Sequence, residues 1–280
     1  MIDLDRLIRQ ANDLEPLPAT AARLAAIAAD PDTGVREVVE LVSFDQALTA
    51  RLLRFANSAA VGSREPITTV QAAIHRLGTG TVVTVAMGNA VKGKLDAAVP
   101  AYGLGEGELW RHSVACALAV ETLAAVGKVA VPGAAFTAAL LHDVGKLVLA
   151  RFLEPEILEV LREARQQGHL SPLEAESQVL GVHHAELGGL IAQHWQLPEP
   201  IVWGISHHHG PTDETDDDVA GIVRLADLLA HRAVPPSSND PAMPEAVDRA
   251  ATRVGVGAQP LERVEKLIAE RLDERLGRYA

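Results

Sequence analysis

The sequence predicts an all-α, multi-helix protein, and three observations predict it. Ala and Leu dominate while aromatic residues make up only 3% of the chain. Runs of alternating β-branched residues are scarce. Apolar residues instead return at three- and four-residue spacing through one segment after another, each closed by Gly or Pro. At 280 residues, with 48% hydrophobic against 22% charged residues, the chain can fill one good core or two modest ones, which excludes a mostly disordered protein.

In chain order, ATAARLAAIA at 19–28, VREVVELVSF at 35–44 and ALTARLLRFANSA at 47–59 read as short stacked helices, with Pro31 and Gly34 separating the first two. TVQAAIHRLG follows Pro66, and Gly78 supplies a C-terminal stop. TVVTVAMGNAVKG carries Thr and Val that favour a strand locally, but its helical neighbours favour a buried helix. The Gly/Pro-rich stretch VPAYGLGEGE at 99–108 marks a boundary. Seven helical segments follow over roughly 106–232, with AAFTAALLHDVGKLVLARFL taken as one of them. PPSSNDPAMP at 235–244 has the composition of a flexible linker. PLERVEKLIAERLDERLGR is a charged amphipathic helix whose Leu261, Val264, Leu267, Ile268 and Leu272 need a partner, either the outside of the bundle or a second copy in a homo-oligomer. The expected organisation is therefore an N-terminal helical subdomain at 1–98, a helical bundle at 99–232, and a linker with a final helix at 233–280.

Composition also bounds the partners. The 37 acidic and 25 basic residues leave a net charge of −12, which argues against a broad nucleic-acid surface. Cys116 is the only cysteine, so neither an internal disulfide nor a cysteine-rich zinc site forms, and a reducing compartment fits. The opening MIDLDRLIRQANDLEP lacks the basic and apolar regions of a secretion signal, and long apolar stretches are interrupted by turn signals. Cytoplasmic residence without a membrane span is the expectation.

The chemistry lies in polar residues that do not belong in a helical core. Glu108 and His112 stand four apart and share a helix face, as a solvent-facing pair or as ligands. The adjacent His142 and Asp143 interrupt an apolar helix, with Gly145 permitting close approach and Lys146 following. A buried carboxylate needs a strong partner, and a metal ion is one. His183 and His184 stand at another helix entrance, one fit to cap and the other to point inward, and His207, His208 and His209 end a helix before Gly210 and Pro211. Asp227 sits among leucines, where Arg224 could be a structural partner. These are nitrogen and oxygen donors, suited to Fe, Mn, Ni or Zn, and they exceed what one tetrahedral ion needs. Two ions about 3.5 to 4 Å apart, bridged by Asp143, would suit phosphate esters, with Lys146 holding a phosphate oxygen. Cys116, four past His112, lies where it could join the metal face but reads as a small core residue, and His75, His169, His194 and His231 read as surface or capping residues. The acidic run from Asp213 to Asp218 reads as a solvated loop, and Arg51, Arg54, Phe55 and Asn57 as a helix surface.

His112, the His142-Asp143 doublet and Asp227 resemble the H…HD…D pattern of the HD phosphohydrolase superfamily. HDVGK, together with LPATAARLAAIAADPDTGVREVVELVSFDQALTARLLRFANSAAVG and ITTVQAAIHRLGTGTVV, is similar to the HDOD subgroup over about residues 14–232. The resemblance implies an all-helical HD-like bundle with an N-terminal helical subdomain, and a signal-transduction or regulatory role beside a signalling protein partner. HDOD chains often lack the full HD metal set, whereas this one keeps every position. Glu108, His112, His142, Asp143, His184, His208, His209 and Asp227 follow the order of ligands in HD-GYP cyclic-dinucleotide phosphodiesterases, and the similarity of HAELGG selects His184 over His183. HGPTDETDD stands where those enzymes carry Asp-Gly-x-Gly-Tyr-Pro. The resemblance thus implies a divalent transition-metal centre, Fe or Mn and dinuclear. Its alternative implication is a metal-dependent phosphodiesterase acting on a cyclic dinucleotide or related nucleotide, with Asp143 and Lys146 catalytic.

Overall fold

A computed structural model describes residues 14–30, 34–58, 66–127, 129–167, 170–210, 218–234 and 242–277, with Arg9 and Asp32 besides. Among them the first five helices are α1 (Ala19–Ala29), α2 (Val35–Ser43), α3 (Gln46–Ala56), α4 (Val70–Leu77) and α5 (Thr79–Leu95). A 3-10 turn over Pro100–Tyr102 leads into α6 (Glu108–Val126), α7 (Gly133–Leu141), α8 (Gly145–Phe152), α9 (Pro155–Gln167) and α10 (Pro172–Leu180). The chain closes with α11 (His184–His194), α12 (Glu199–Ser206), α13 (Asp218–Ala233), α14 (Met243–Arg253) and α15 (Ala258–Gly277). The β pairing among the described residues is one isolated bridge, Val99 with Leu104, so the fold is all-α.

Local chemistry sets the first helices. Asp45 caps α3 by accepting from the Leu48 N–H at 2.9 Å, and Thr69 caps α4 by accepting from the Ala72 N–H at 3.2 Å. Gly78, at φ 80°, takes the left-handed turn that separates α4 from α5. The Thr/Val-rich segment forms α5, a helix rather than a strand, because Val82 through Gly88 are all buried and tertiary packing outweighs weak local propensity. Arg51 reaches the Asn89 side chain, and Asn57 holds both the N–H and the carbonyl of Ile67, at 2.7 and 2.8 Å. α1 packs on α5 and on α7, where a Cβ on Gly133 would lie 1.9 Å from the Ala28 carbonyl oxygen.

The bundle around α6 departs from expectation at one place. AAFTAALLHDVGKLVLARFL is two helices, not one, so among the described residues of 108–233 there are eight helices rather than seven. His142, Asp143 and Val144 form successive turns, with the Val144 N–H bonded to Leu141 O at 2.9 Å and the Lys146 N–H to Asp143 O at 3.0 Å. Behind the break, Gly145 presses against the backbone that opens α11, where a Cβ would stand 1.9 Å from the His184 carbonyl oxygen. The 99–108 stretch is also more than a connector, since Val99 is fully buried and Tyr102 reaches toward the centre of the bundle.

The C-terminal segment contains a helix beyond the one expected. α14 begins at Met243, inside the stretch read as a linker, with Pro244 in its first turn, and it buries Val247, Ala250 and Ala251 against α13. Residues 235–241 of that stretch, and Asp213–Asp217 of the acidic run, lie outside the described residues. α15 lies along α6 and α13, burying Leu261, Val264, Ile268 and Leu272, and Arg111 pairs with Asp273 at 2.7 Å. Its apolar stripe is thus covered by its own chain. Ile268→Ala is expected to cost about 3 kcal/mol, because a fully buried side chain leaves a cavity. Urea unfolding measures that loss, and a change below about 1 kcal/mol would show the helix to be loosely attached.

Two stretches, Glu108–Val126 and Gly133–Phe152, are long and apolar enough to cross a bilayer by length and composition. Both are mostly buried in the bundle, and the second is broken at His142–Val144.

Candidate metal centre

Five places in the chain converge inside the bundle. α6 supplies His112, the turn between α7 and α8 supplies His142 and Asp143, and the first residue of α11 supplies His184. The turns after α12 supply His208 and His209, and α13 supplies Asp227. The HDVG turns let the neighbouring His142 and Asp143 both face inward, each 1% exposed. Leaving the helix has a similar effect on the histidine run: His208 and His209 turn into the cluster while His207 stacks on Trp203, with ring centroids 3.6 Å apart.

Hydrogen bonds at the outer edge of the rings decide which nitrogens are free. His142 Nδ1 lies 2.7 Å from the Ala139 carbonyl oxygen and His208 Nδ1 lies 2.7 Å from the Ile205 carbonyl oxygen. A carbonyl only accepts, so Nδ1 carries a proton, and a ring neutral at Nε2, the form a metal ion would meet, turns that lone pair inward. His184 is held the same way, its Nδ1 2.7 Å from the Glu176 carboxylate. His142 Nε2, His208 Nε2 and Asp143 Oδ1 are buried without a hydrogen-bond partner. His184 Nε2 faces His209 Nε2 at 3.1 Å. Unpaired buried lone pairs are costly, and several aimed at one another cost more.

Asp143 stands in the middle. Its Oδ1 is 3.4 Å from His184 Nε2, and its Oδ2 is 3.4 Å from His142 Nε2 and 3.8 Å from His112 Nε2. Lys146 Nζ donates to the same Oδ2 at 2.7 Å and lies 5.3 Å from the centre of the Tyr102 ring. Asp227 Oδ1 lies 2.9 Å from His112 Nε2 and 3.5 Å from His142 Nε2. The donor atoms fall into two compact groups, one from His112, Cys116, His142 and Asp227 and one from His184, His208 and His209, with His142, Asp143 and His208 forming a third that overlaps both. This histidine and aspartate cluster is capable of coordinating a metal ion.

The charges are arranged to match. Burial pushes His112 down to about 4 despite its hydrogen bond to Asp227, and burial beside His184 pushes His209 down to about 3. Burial and His209 hold His208 well below the usual imidazole range. Burial would lower His142 too, but the Asp143 and Asp227 carboxylates prevail and carry it up to about 10. Burial would raise Asp143, yet His142 and Lys146 hold it well below the usual carboxylate range; His231 and His112 do the same for Asp227 against its burial. Without a cation, an imidazolium at His142 compensates the two carboxylates.

Not every candidate lies in the cluster. Glu108 is exposed at the first turn of α6, and its carboxylate accepts from the Gly105 N–H at 2.6 Å. It lines a cavity of about 150 Å³ that also reaches His112, Asp143 and Lys146. His183 caps α11 in a reciprocal bond pair with Glu186 and points away. Arg224 donates to the Gly210 carbonyl rather than to Asp227. His231, read as a surface or capping residue, is partly exposed and places Nδ1 3.0 Å from both the Asp227 backbone carbonyl oxygen and Asp227 Oδ1; its spacing of four from Asp227 was the available signal.

Glu176 drew no attention in the sequence, where it looks like an ordinary acid of an amphipathic helix. In the fold it is buried, accepting from the His184 N–H, from His184 Nδ1 and from the Tyr102 hydroxyl, all at 2.7 Å. A carboxylate behind a ligating imidazole fixes its tautomer and orientation. Glu176→Ala is therefore expected to weaken metal binding by about 10- to 100-fold, measured by competition with a chelator. Unchanged affinity would reduce Glu176 to a packing role.

The HDOD domain family profile matches residues 14–211. An uncharacterised protein of Treponema pallidum is 28% identical over 203 residues, a match covering 71% of this chain but only 38% of that longer protein. Three crystal structures share the fold. An HDOD domain protein of unknown function from Geobacter sulfurreducens has a TM-score of 0.69 at 24% identity, covering 98% of this chain and 99% of the other. A candidate phosphohydrolase from Shewanella amazonensis has a TM-score of 0.70 at 26% identity, covering 98% of both. A candidate signal transduction protein from Marinobacter aquaeolei has a TM-score of 0.72 at 23% identity, covering 98% of this chain and 63% of the other.

Proposed function

The chain belongs to the HDOD domain family, and from that premise we propose that it is a cytoplasmic signal-transduction or regulatory module built around an occupied metal centre. The observation that carries the metal reading is the set of three buried, unpartnered atoms, His142 Nε2, Asp143 Oδ1 and His208 Nε2, turned toward one another. A hydrogen-bonded scaffold would leave such atoms unsatisfied, whereas a cation satisfies them together. His112, His142 and Asp227 would hold one ion, His184, His208 and His209 a second, and Asp143 would touch both. Iron or manganese suits these nitrogen and oxygen donors.

The regulatory reading is favoured over turnover by the space at the centre. The cavity leading to His112, Asp143 and Lys146 holds about 150 Å³, below the roughly 300 Å³ at which small-molecule pockets begin. That space has the scale of a phosphate group rather than of a whole cyclic dinucleotide. A signalling partner would find a larger cavity, of about 490 Å³, between the end of α5 and α8. The second reading, a metal-dependent phosphodiesterase acting on a cyclic dinucleotide or related nucleotide, draws support from Lys146 in the lining of the cavity, where its ammonium would steer a phosphate oxygen and Asp143 would hold the reacting region in register. Bound ions would supply positive charge for the phosphate oxygens.

Quantitative metal analysis after anaerobic purification, repeated on His142→Ala, tests the premise, and inability to load any transition metal would sink both readings. The loaded protein is then offered cyclic dinucleotides, linear dinucleotides and simple phosphodiesters beside Asp143→Ala. Saturable binding without product supports the sensor, whereas turnover lost in the variant supports the enzyme.

A further inference from the structure

Cys116, the only cysteine of the chain, is fully buried one helical turn beyond His112. Residues four apart share a helix face, so α6 presents an imidazole and a thiol together. Cys116 Sγ lies 3.5 Å from His112 Nε2, and the donor atoms of His112, Cys116, His142 and Asp227 all fall within 4.8 Å of one another. A second, independent feature points into the same space: His142 Nε2, buried and without a hydrogen-bond partner.

The distances have the scale of a coordination sphere. With metal–nitrogen and metal–oxygen bonds of about 2.0 to 2.1 Å and a metal–sulfur bond of about 2.3 Å, tetrahedral donors stand about 3.3 Å apart, or about 3.6 Å where one is sulfur. The separations here are 2.9 Å from His112 to Asp227, 3.5 Å from His142 to Asp227, and 3.5 Å from His112 to Cys116. A cation at the common focus would meet a lone pair from each of these atoms.

We propose that the Cys116 sulfur is a further protein ligand, beside Asp143, to the ion held by His112, His142 and Asp227. The inference rests on the metal-centre reading above and deepens it. Binding displaces the thiol proton to solvent, and the thiolate makes this half of the centre a mixed nitrogen, oxygen and sulfur site. Soft sulfur disfavours Mn²⁺ and favours Fe²⁺, Co²⁺ and Zn²⁺. Of iron and manganese, a sulfur ligand would favour iron at this position, while the half built from three imidazoles and Asp143 has no such preference.

The test is an anaerobic Co²⁺ titration of the full metal-free chain and of Cys116→Ser and Cys116→Ala. The wild type is expected to develop a thiolate-to-cobalt charge-transfer band in the near ultraviolet. Both variants should lose it while still taking up cobalt, with affinity at least tenfold weaker. The single cysteine makes the assignment unambiguous. X-ray absorption of the zinc-loaded wild type needs no variant and should show a sulfur neighbour at about 2.3 Å. Cobalt bound without the band, zinc without the sulfur neighbour, or a band that persists in the variants overturns the sulfur ligand while the metal centre stands. A wild type that loads no cobalt, zinc, iron or manganese removes both.

Discussion

Asp143→Ala is expected to strip metal from both halves of the centre and to destabilise the metal-free protein by about 4 kcal/mol, the scale seen when one partner of a buried ion pair is removed. The carboxylate faces His184 through one oxygen and His142, His112 and Lys146 through the other. Its loss leaves the Lys146 ammonium and the His142 imidazolium buried with less compensation, and removes the group that stands between the two donor clusters. The pH dependence has a definite sign. Because the Asp143 carboxyl is held well below its usual range, its contribution to the metal-free fold is present above the ordinary carboxylate pKa of about 4 and is lost as pH falls through the lower folded value. The gap between wild type and variant should therefore be full at neutral pH and close only in strong acid. Metal content by mass spectrometry and urea unfolding between neutral and acid pH measure both effects. A variant that keeps the wild-type metal stoichiometry would remove Asp143 from between the ions.

Periodicity carried the helices, and its failures are local. The AAFTAALLHDVGKLVLARFL pattern continues through Leu140, Leu141, Val144 and Leu147, so the apolar period does not mark the break, which falls at the polar His142-Asp143 pair, where Gly145 lies against the backbone of α11. α14 was legible in principle, since Val247, Ala250 and Ala251 keep helical spacing, but the Pro- and Ser-rich stretch before it obscured its start. The same contrast runs through the site. His112, His142, Asp143 and Asp227 stand out because charge and imidazole are expensive among leucines and alanines. Glu176 does not stand out, because its burial is created by α10 packing near Tyr102, a contact between residues 74 apart in sequence. Cys116 is the buried core residue that its CALAV setting predicts, whereas His231, four residues past Asp227, reaches that carboxylate, a cue that helical spacing carries and the polarity of the flanking sequence does not.

Gly145→Ala is expected to be the most disruptive single methyl addition near the centre. The new Cβ would lie 1.9 Å from the His184 carbonyl oxygen, 2.8 Å from its carbon and 2.7 Å from the Gly188 nitrogen. All three are backbone atoms, so no side chain can rotate away, and α8 and α11 must separate by about 1 Å to relieve the contact. Overpacking of this kind costs about 3 kcal/mol. Function suffers through geometry as well, since Asp143 and His184, now 3.4 Å apart, ride on the two elements that separate. An ångström is a large fraction of a metal–ligand bond, so metal affinity should fall by 100-fold or more. Gly80→Ala is the control: it lies in α5 with open space around its Cβ, and alanine there should raise stability by about 0.5 kcal/mol and leave metal content unchanged. Thermal unfolding with and without metal separates the two contributions, because a ligand raises the midpoint only of a protein that still binds it. If Gly145→Ala matched Gly80→Ala in both midpoint and metal response, the close approach of α8 to α11 would not be what holds the two halves of the centre together.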